Sequence, residues 1–179
     1  MSTFEAAIPV ILKHEGGWVS DPQDPGGETN FGISTLIVNR EAISNAELGL
    51  PEGRQPGWMK SMKVDAAKKI YQKLFWDRYD YGRLGDQAVA TKIFDVGVNC
   101  GPSRAHAMAQ RAATACGHAA ADDGIFGPKS VVSINACNPQ LWLLAMRQQQ
   151  ETYYRTLVAR KPQLKVFLRT WLRRAAWIG

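Results

Sequence analysis

Residues 14–34 read HEGGWVSDPQDPGGETNFGIS. Five glycines, two prolines, two glutamates and two aspartates fall in this one stretch, with helix-like sequence on both sides. Glycine and Asp-Pro at that density do not suit a helix interior, because glycine loses too much backbone freedom and proline removes a hydrogen bond. The stretch reads as a turn-filled β ribbon that presents carboxylates. Upstream of it, Phe4, Ile8, Ile11 and Glu15 recur at intervals of four, three and four, which is one face of a helix. Glu15 therefore stands on the apolar stripe at the end of a first helix that Gly16-Gly17 stops. Ser2 and Glu5 have the spacing of a capping box, and Pro9 is expected to kink this helix or mark its true start.

Downstream, Ser34 is placed to cap a helix over 35–47, with Ile33 as its staple. Residues 48–60 are a loop by composition and hold Trp58. Asp65 is placed to cap a third helix running to 77, and a fourth covers 87–98. Gly101-Pro102 opens another helix to about 116, since proline suits a first turn. DDGIFGP at 122–128 reads as a turn, and Pro128 starts a short helix to 136. Asn138-Pro139 begins a long helix to 160, and Pro162 begins the last, which ends near 177. The predicted fold class is mainly α with one small β ribbon between helices 1 and 2. Regions 1–100 and 101–179 pack as one compact unit.

The chain has 179 residues, 45% of them hydrophobic, enough for a real core. No apolar run reaches the roughly 18 residues that span a bilayer, so no integral membrane segment is expected. The N-terminus lacks a basic n-region and a small-residue cleavage site, which predicts synthesis in the cytoplasm without a conventional signal peptide. Cys100, Cys116 and Cys137 are odd in number and not tightly spaced, so they read as reduced thiols. Cys116 and His118 lack a second pair at zinc spacing, and no metal site is expected. The net charge of +6 and pI near 9.4 favour an anionic partner. No base-reading motif accompanies that charge, so nucleic acid is not the expected partner. The basic residues of the last two helices, from Arg147 to Arg174, read as a solvated face.

A carboxyl on the apolar face of a helix is partly withdrawn from water. That favours its protonated form, as a general acid requires. From spacing alone, Glu15 is either such a donor or the partner of a nearby cation at a chain reversal. Asp24 lies nine residues on, flanked by Asp21 and Glu28. Glycoside hydrolysis uses two carboxyl groups on opposite sides of the scissile bond, and a ribbon folded over the end of helix 1 would supply the second. Asp-Pro is also ordinary turn chemistry. Trp18, Phe31, Trp58, Trp76 and Tyr79 carry flat faces suited to sugar rings. Of these Trp76, with Phe75, is expected in the core, and Trp58, in a Gly/Pro loop, as an exposed platform. Asp95 and Asn99 read as a buried hydrogen-bonded pair that holds the end of their helix.

The motif EGGWVSDPQDPGGETNFGIS resembles the signature of the glycoside hydrolase family 108 muramidases, a family that includes phage endolysins. The resemblance continues through YQKLFWDRYDYGRLGDQAVATKIFDVGVNCGP, DDGIFGP and RTWLRR, and so covers essentially the whole chain. DDGIFGP is similar to the turn of the peptidoglycan-binding-like module appended in this family. The resemblance implies a lysozyme-like fold and cleavage of the bond between N-acetylmuramic acid and N-acetylglucosamine, with Glu15 as the acid. The family's arrangement also looks like the Glu…Asp…Thr pattern of tailed-phage lysozymes, which gives Asp24 and Thr29 the remaining catalytic roles. Four residues separate Asp24 from Thr29 where that pattern has five, so strict counting lands on Asn30. Trp18, Asn30, Phe31 and Trp58 are the implied substrate contacts. Peptidoglycan glycan strands are the implied partner, reached in the periplasm or cell wall by a monomer, and no cofactor is called for. By analogy the reaction inverts. Two other readings stay open: a lytic transglycosylase on the same bond, and a non-catalytic wall-binding or secretion-accessory protein.

Overall fold

The structure is a computed structural model that describes residues 1–20, 27–50, 52–53 and 56–177. Asp21 and Asp24 lie outside the described residues. Within them the chain is mainly helical, with one two-stranded antiparallel sheet between α1 (Phe4–His14) and α2 (Thr35–Arg40), as expected. The chain divides into two compact units, Ile8–Leu74 and Met1–Ala7 with Phe75–Gly179.

The Ile8–Leu74 unit holds the ribbon. Strands β1 (Thr29–Asn30) and β2 (Ile33–Ser34) pair with Thr29 opposite Ser34 and Asn30 opposite Ile33. The two-residue connection has φ of +48° at Phe31 and +75° at Gly32. Positive φ at both positions matches the twist of a tight hairpin. Ser34 caps α2 as predicted, its hydroxyl accepting from the Ile37 amide. That helix ends at Arg40, short of the expected 47, because Ala42 turns left-handed at φ +51°. A separate turn, α3 (Asn45–Leu48), starts at a reciprocal capping box between Ser44 and Glu47. Helix α4 (Val64–Tyr71) begins from Lys63 rather than Asp65. Asp65 lies in its first turn, where a carboxylate suits the helix dipole, and pairs with Lys68 at 3.2 Å. After Tyr71 the backbone widens into a π-helix over Gln72–Asp77, so the single third helix predicted to 77 is two kinds of helix.

Helix α1 runs through Pro9. The carbonyl that loses its amide partner there belongs to Glu5, and both residues are exposed, so the lost bond falls on the solvent side of the helix. The expected Ser2–Glu5 capping box is absent. Thr3 Oγ1 accepts from the Ala6 amide instead, while Ser2 donates its amide and hydroxyl to the Leu84 carbonyl.

The other unit is built on α5 (Gln87–Cys100), buried along nearly its whole circumference. A helix apolar all round belongs at the centre of a bundle. Around it stand α6 (Pro102–Ala115), α7 (Pro128–Asn135), α8 (Pro139–Arg160) and α9 (Lys165–Ala176). The caps read from sequence hold at α6, with Pro102 in its first turn, and at α8, where Asn138 accepts from the Leu141 amide. Phe4, Trp76, Tyr81 and Phe94 meet at centroid distances near 6 Å, so Trp76 is in the core as predicted.

Two polar expectations change in detail. Asp95, fully buried, binds the Arg174 guanidinium at 2.9 Å rather than Asn99. Asn99 Oδ1 accepts from the Tyr154 hydroxyl at 2.6 Å. Arg174 therefore leaves the solvated basic face. An ionised aspartate at the centre of a bundle needs a cation, and a neutral asparagine cannot serve as one.

Candidate active site

All described residues of the candidate site belong to the Ile8–Leu74 unit. Glu15 follows directly on α1, with its amide still bonded to the Ile11 carbonyl at 2.9 Å. That helical bond fixes the direction in which its side chain leaves the backbone. The carboxyl reaches the hairpin turn: a methyl group built on Gly32 would stand 2.5 Å from Glu15 Oε2 and 2.5 Å from the Tyr71 hydroxyl. The acid and the phenol thus converge on one face of a residue that has no side chain. Tyr71, buried at the end of α4, donates its hydroxyl proton to the Phe31 carbonyl at 2.8 Å.

The ribbon is held in place from both sides. Val19 bridges Thr29 through reciprocal amide–carbonyl bonds of 2.8 and 2.9 Å, which adds the Val19 segment to β1. Thr29 is thereby fixed in the strand opposite Ser34, half-buried. On the other side, the Glu28 carboxylate accepts from the amides of Gly57 and Met59 and from the Trp18 indole at 3.4 Å. One carboxylate with three donors ties the Trp18 segment, the ribbon and the 57–59 turn together. Trp18 is 38% exposed, and the Lys60 ammonium lies 5.2 Å from the centre of its ring. A cation at that position over an aromatic face is attracted by the ring's negative π density.

The structure buries two of the residues expected to contact substrate. Trp58 is not an exposed platform but 9% exposed, because it opens a 3-10 turn whose backbone is drawn inward by Glu28. Asn30 is 3% exposed and donates Nδ2 to the Met59 carbonyl at 2.8 Å, so its amide ties the ribbon to that turn. Glu15, Phe31 and Trp18 stay at least partly exposed, and Thr29 is a ribbon neighbour of Phe31. Asp24 lies outside the described residues. Sequence reading missed Gly32, Tyr71 and the tie made by Glu28. The Asn-Phe-Gly run at 30–32 marked the turn, while nothing local announced Tyr71, which meets Phe31 from forty residues away.

Among the described residues, no group of three or more His, Cys, Asp and Glu side chains is arranged to hold a metal, and no helix is long and apolar enough to cross a membrane. The chain matches the family model "Glycosyl hydrolase 108" over residues 8–101 and "Predicted Peptidoglycan domain" over residues 104–176. No curated protein matches it. Among solved structures it is similar to Brucella abortus SagA, with a TM-score of 0.72 and 23% identity over 97% of this chain and 89% of that one. At that identity the likeness speaks for the fold. With more than half of its length in the first match, the chain belongs to the glycosyl hydrolase 108 family and is a glycoside hydrolase that carries a peptidoglycan-binding module.

Proposed function

We propose that the protein hydrolyses the bond between N-acetylmuramic acid and N-acetylglucosamine in peptidoglycan, with Glu15 as the general acid. The observation that supports this most directly is the convergence of the Glu15 carboxylate and the Tyr71 hydroxyl on the side-chain-free face of Gly32. A carboxyl held by a helix end on one side and by a tight turn on the other is pre-positioned, so little reorganisation is needed as the bond breaks. Glu15 passes its proton to the leaving glycosidic oxygen. Asp24 takes the proton of a water that Thr29 helps to orient, and that water attacks the opposite face of the sugar. The product then has inverted configuration, which calls for carboxyls about 6.5–9.5 Å apart, against about 5–5.5 Å for retention. Trp18 and Phe31 carry the sugar rings. Residues 1–100 perform the cleavage and 101–179 hold the wall, in the periplasm or cell wall where the substrate lies.

Glu15→Gln keeps the shape of the side chain and removes the proton. Turbidity clearing of purified sacculi is expected to fall at least a thousandfold, within the range that acid catalysis and positioning contribute together, with the circular dichroism spectrum unchanged. Full lytic activity in that variant would overturn the assignment. Mass analysis of the wild-type products separates hydrolysis, which leaves hydrated reducing ends, from the anhydro ends of a lytic transglycosylase. Binding to sacculi without any cleavage would instead favour an accessory role.

A further inference from the structure

Between α6 and α7 lies a cavity of about 570 Å³, within the range of small-molecule sites. One wall is the Ala119–Ala121 segment, and the facing wall is the start of α7 at Pro128 and Lys129. The state of its polar lining decides what can enter. Gln110, 1% exposed, shares its two Nε2 hydrogens among Asp123 Oδ1 at 2.8 Å, the Ile125 carbonyl at 3.1 Å and Ser130 Oγ at 3.1 Å. Its Oε1 accepts from the Gly124 amide at 2.9 Å. Ser130 Oγ donates to the Ile125 carbonyl, and Ser133 Oγ to the Ala119 carbonyl at 2.7 Å. Asp123 is held below the usual carboxylate range by the Ile125 amide first and by Gln110 second. The side-chain polar groups of this wall are thus engaged with one another.

Lys129 is the exception. It is exposed and makes no ion pair among the described residues. It stands in the first turn of α7, whose N-cap Gly127 has no side chain to offer, so the positive helix end adds to the ammonium. At the rim Ile125 is 72% exposed, and Val132, which borders an adjoining depression, is 68% exposed. No aromatic ring lines the cavity among the described residues. A sugar would need a flat face to stack on and several uncommitted hydrogen-bond partners, and here it finds neither. An alanine-lined space whose one carboxylate, Asp123, is already held by the Ile125 amide and Gln110, and whose cation Lys129 has no ion pair among the described residues, suits short aliphatic side chains and a carboxylate.

We infer that this cavity binds the peptide stems of peptidoglycan, with an alanine side chain against Ala119–Ala121 and a stem carboxylate on Lys129. This rests on peptidoglycan being the substrate and assigns the peptide, rather than the glycan, to this site. Carboxylate recognition by a lone lysine beside apolar surface is a modest interaction, so the affinity belongs in the micromolar to millimolar range.

The test is an amide NMR titration of the full chain with the soluble tetrapeptide L-Ala-γ-D-Glu-meso-diaminopimelate-D-Ala. Saturable shifts are expected at Ala119–Ala121 and Lys129, and a peptide-free N-acetylglucosamine–N-acetylmuramic acid disaccharide should leave those amides unmoved. Lys129→Glu, a surface change, and Ala120→Trp, which fills the cavity, should each weaken peptide binding at least tenfold. Cleavage of peptide-free glycan chains should stay at the wild-type rate in both. Absence of shifts at these amides, equal shifts with the disaccharide, or undiminished binding by Lys129→Glu would overturn the inference. The glycosidase reading is judged separately by Glu15→Gln on the same peptide-free chains.

Discussion

At Gly32 the backbone sits at φ +75°, and its α-carbon faces both the Glu15 carboxylate and the Tyr71 hydroxyl. A side chain there meets two penalties at once. The left-handed conformation disfavours any L residue, and the methyl group would lie inside the contact distance of two oxygen atoms. Gly32→Ala is expected to destabilise the protein by about 1–3 kcal/mol. It should also displace the acid and lower kcat/KM on sacculi roughly a hundredfold, since misplacing a reacting group by an ångström has that order of effect. Thermal melts beside rate measurements check both arms, and an unchanged rate would mean that the acid does not work from this position. The neighbouring Phe31, left-handed at φ +48° without glycine's freedom, is a strained residue half-exposed beside that acid.

The 57–61 turn depends on the Glu28 carboxylate. A glutamine at position 28 has the same length but turns one acceptor into a donor, which then opposes either the Gly57 or the Met59 amide. Glu28→Gln is expected to cost about 1–3 kcal/mol and to speed hydrogen exchange at those two amides while leaving α8 protected. Such ties explain what was legible beforehand. Helix α8 could be read to the residue because Asn138-Pro139 starts it and Pro162 follows its end, signals carried by the chain itself. The break between α2 and α3 could not, because Ala42 turns left-handed with no glycine to mark the place. Its restart at Ser44…Glu47 was a readable signal that the single helix expected over 35–47 passed over. The place of Glu15 at the end of α1 was legible from helical periodicity. The burial of Trp58 and Asn30 was not, because it follows from a contact with Glu28 and with the Met59 carbonyl about thirty residues away.

Across the whole molecule, stability is tied to pH through side chains taken out of water. His106 is 1% exposed in the helical unit, with Nε2 2.8 Å from the Tyr81 hydroxyl and Nδ1 3.3 Å from the Gly124 carbonyl. A carbonyl only accepts, so Nδ1 carries a hydrogen, and in the neutral ring Tyr81 donates to Nε2. Burial pushes the imidazole down from 6.5 to about 4. The unfolded chain takes up this proton near pH 6.5 and the folded chain not until about pH 4, so the folded state weakens as pH falls through that window. The loss from this one group is about 2–3 kcal/mol. Urea midpoints measured from pH 7 to 4.5 should fall more steeply for the wild type than for His106→Gln, and parallel slopes would refute this account.

The buried middle of α5 and the last turn of α9 carry a further consequence. Lys92 is fully buried and donates to the Ala175 and Trp177 carbonyls at 2.9 and 2.8 Å, while Arg174 neutralises the buried Asp95. Two opposite charges of the bundle's central helix thus find their counterparts in a single turn of α9. Proteolytic nicking at Arg173, or fraying of that turn, would remove the Arg174 guanidinium from Asp95 and the α9 carbonyls from Lys92. Charges kept out of water with fewer partners are costly, so loss of that one turn would loosen the bundle from its middle outward.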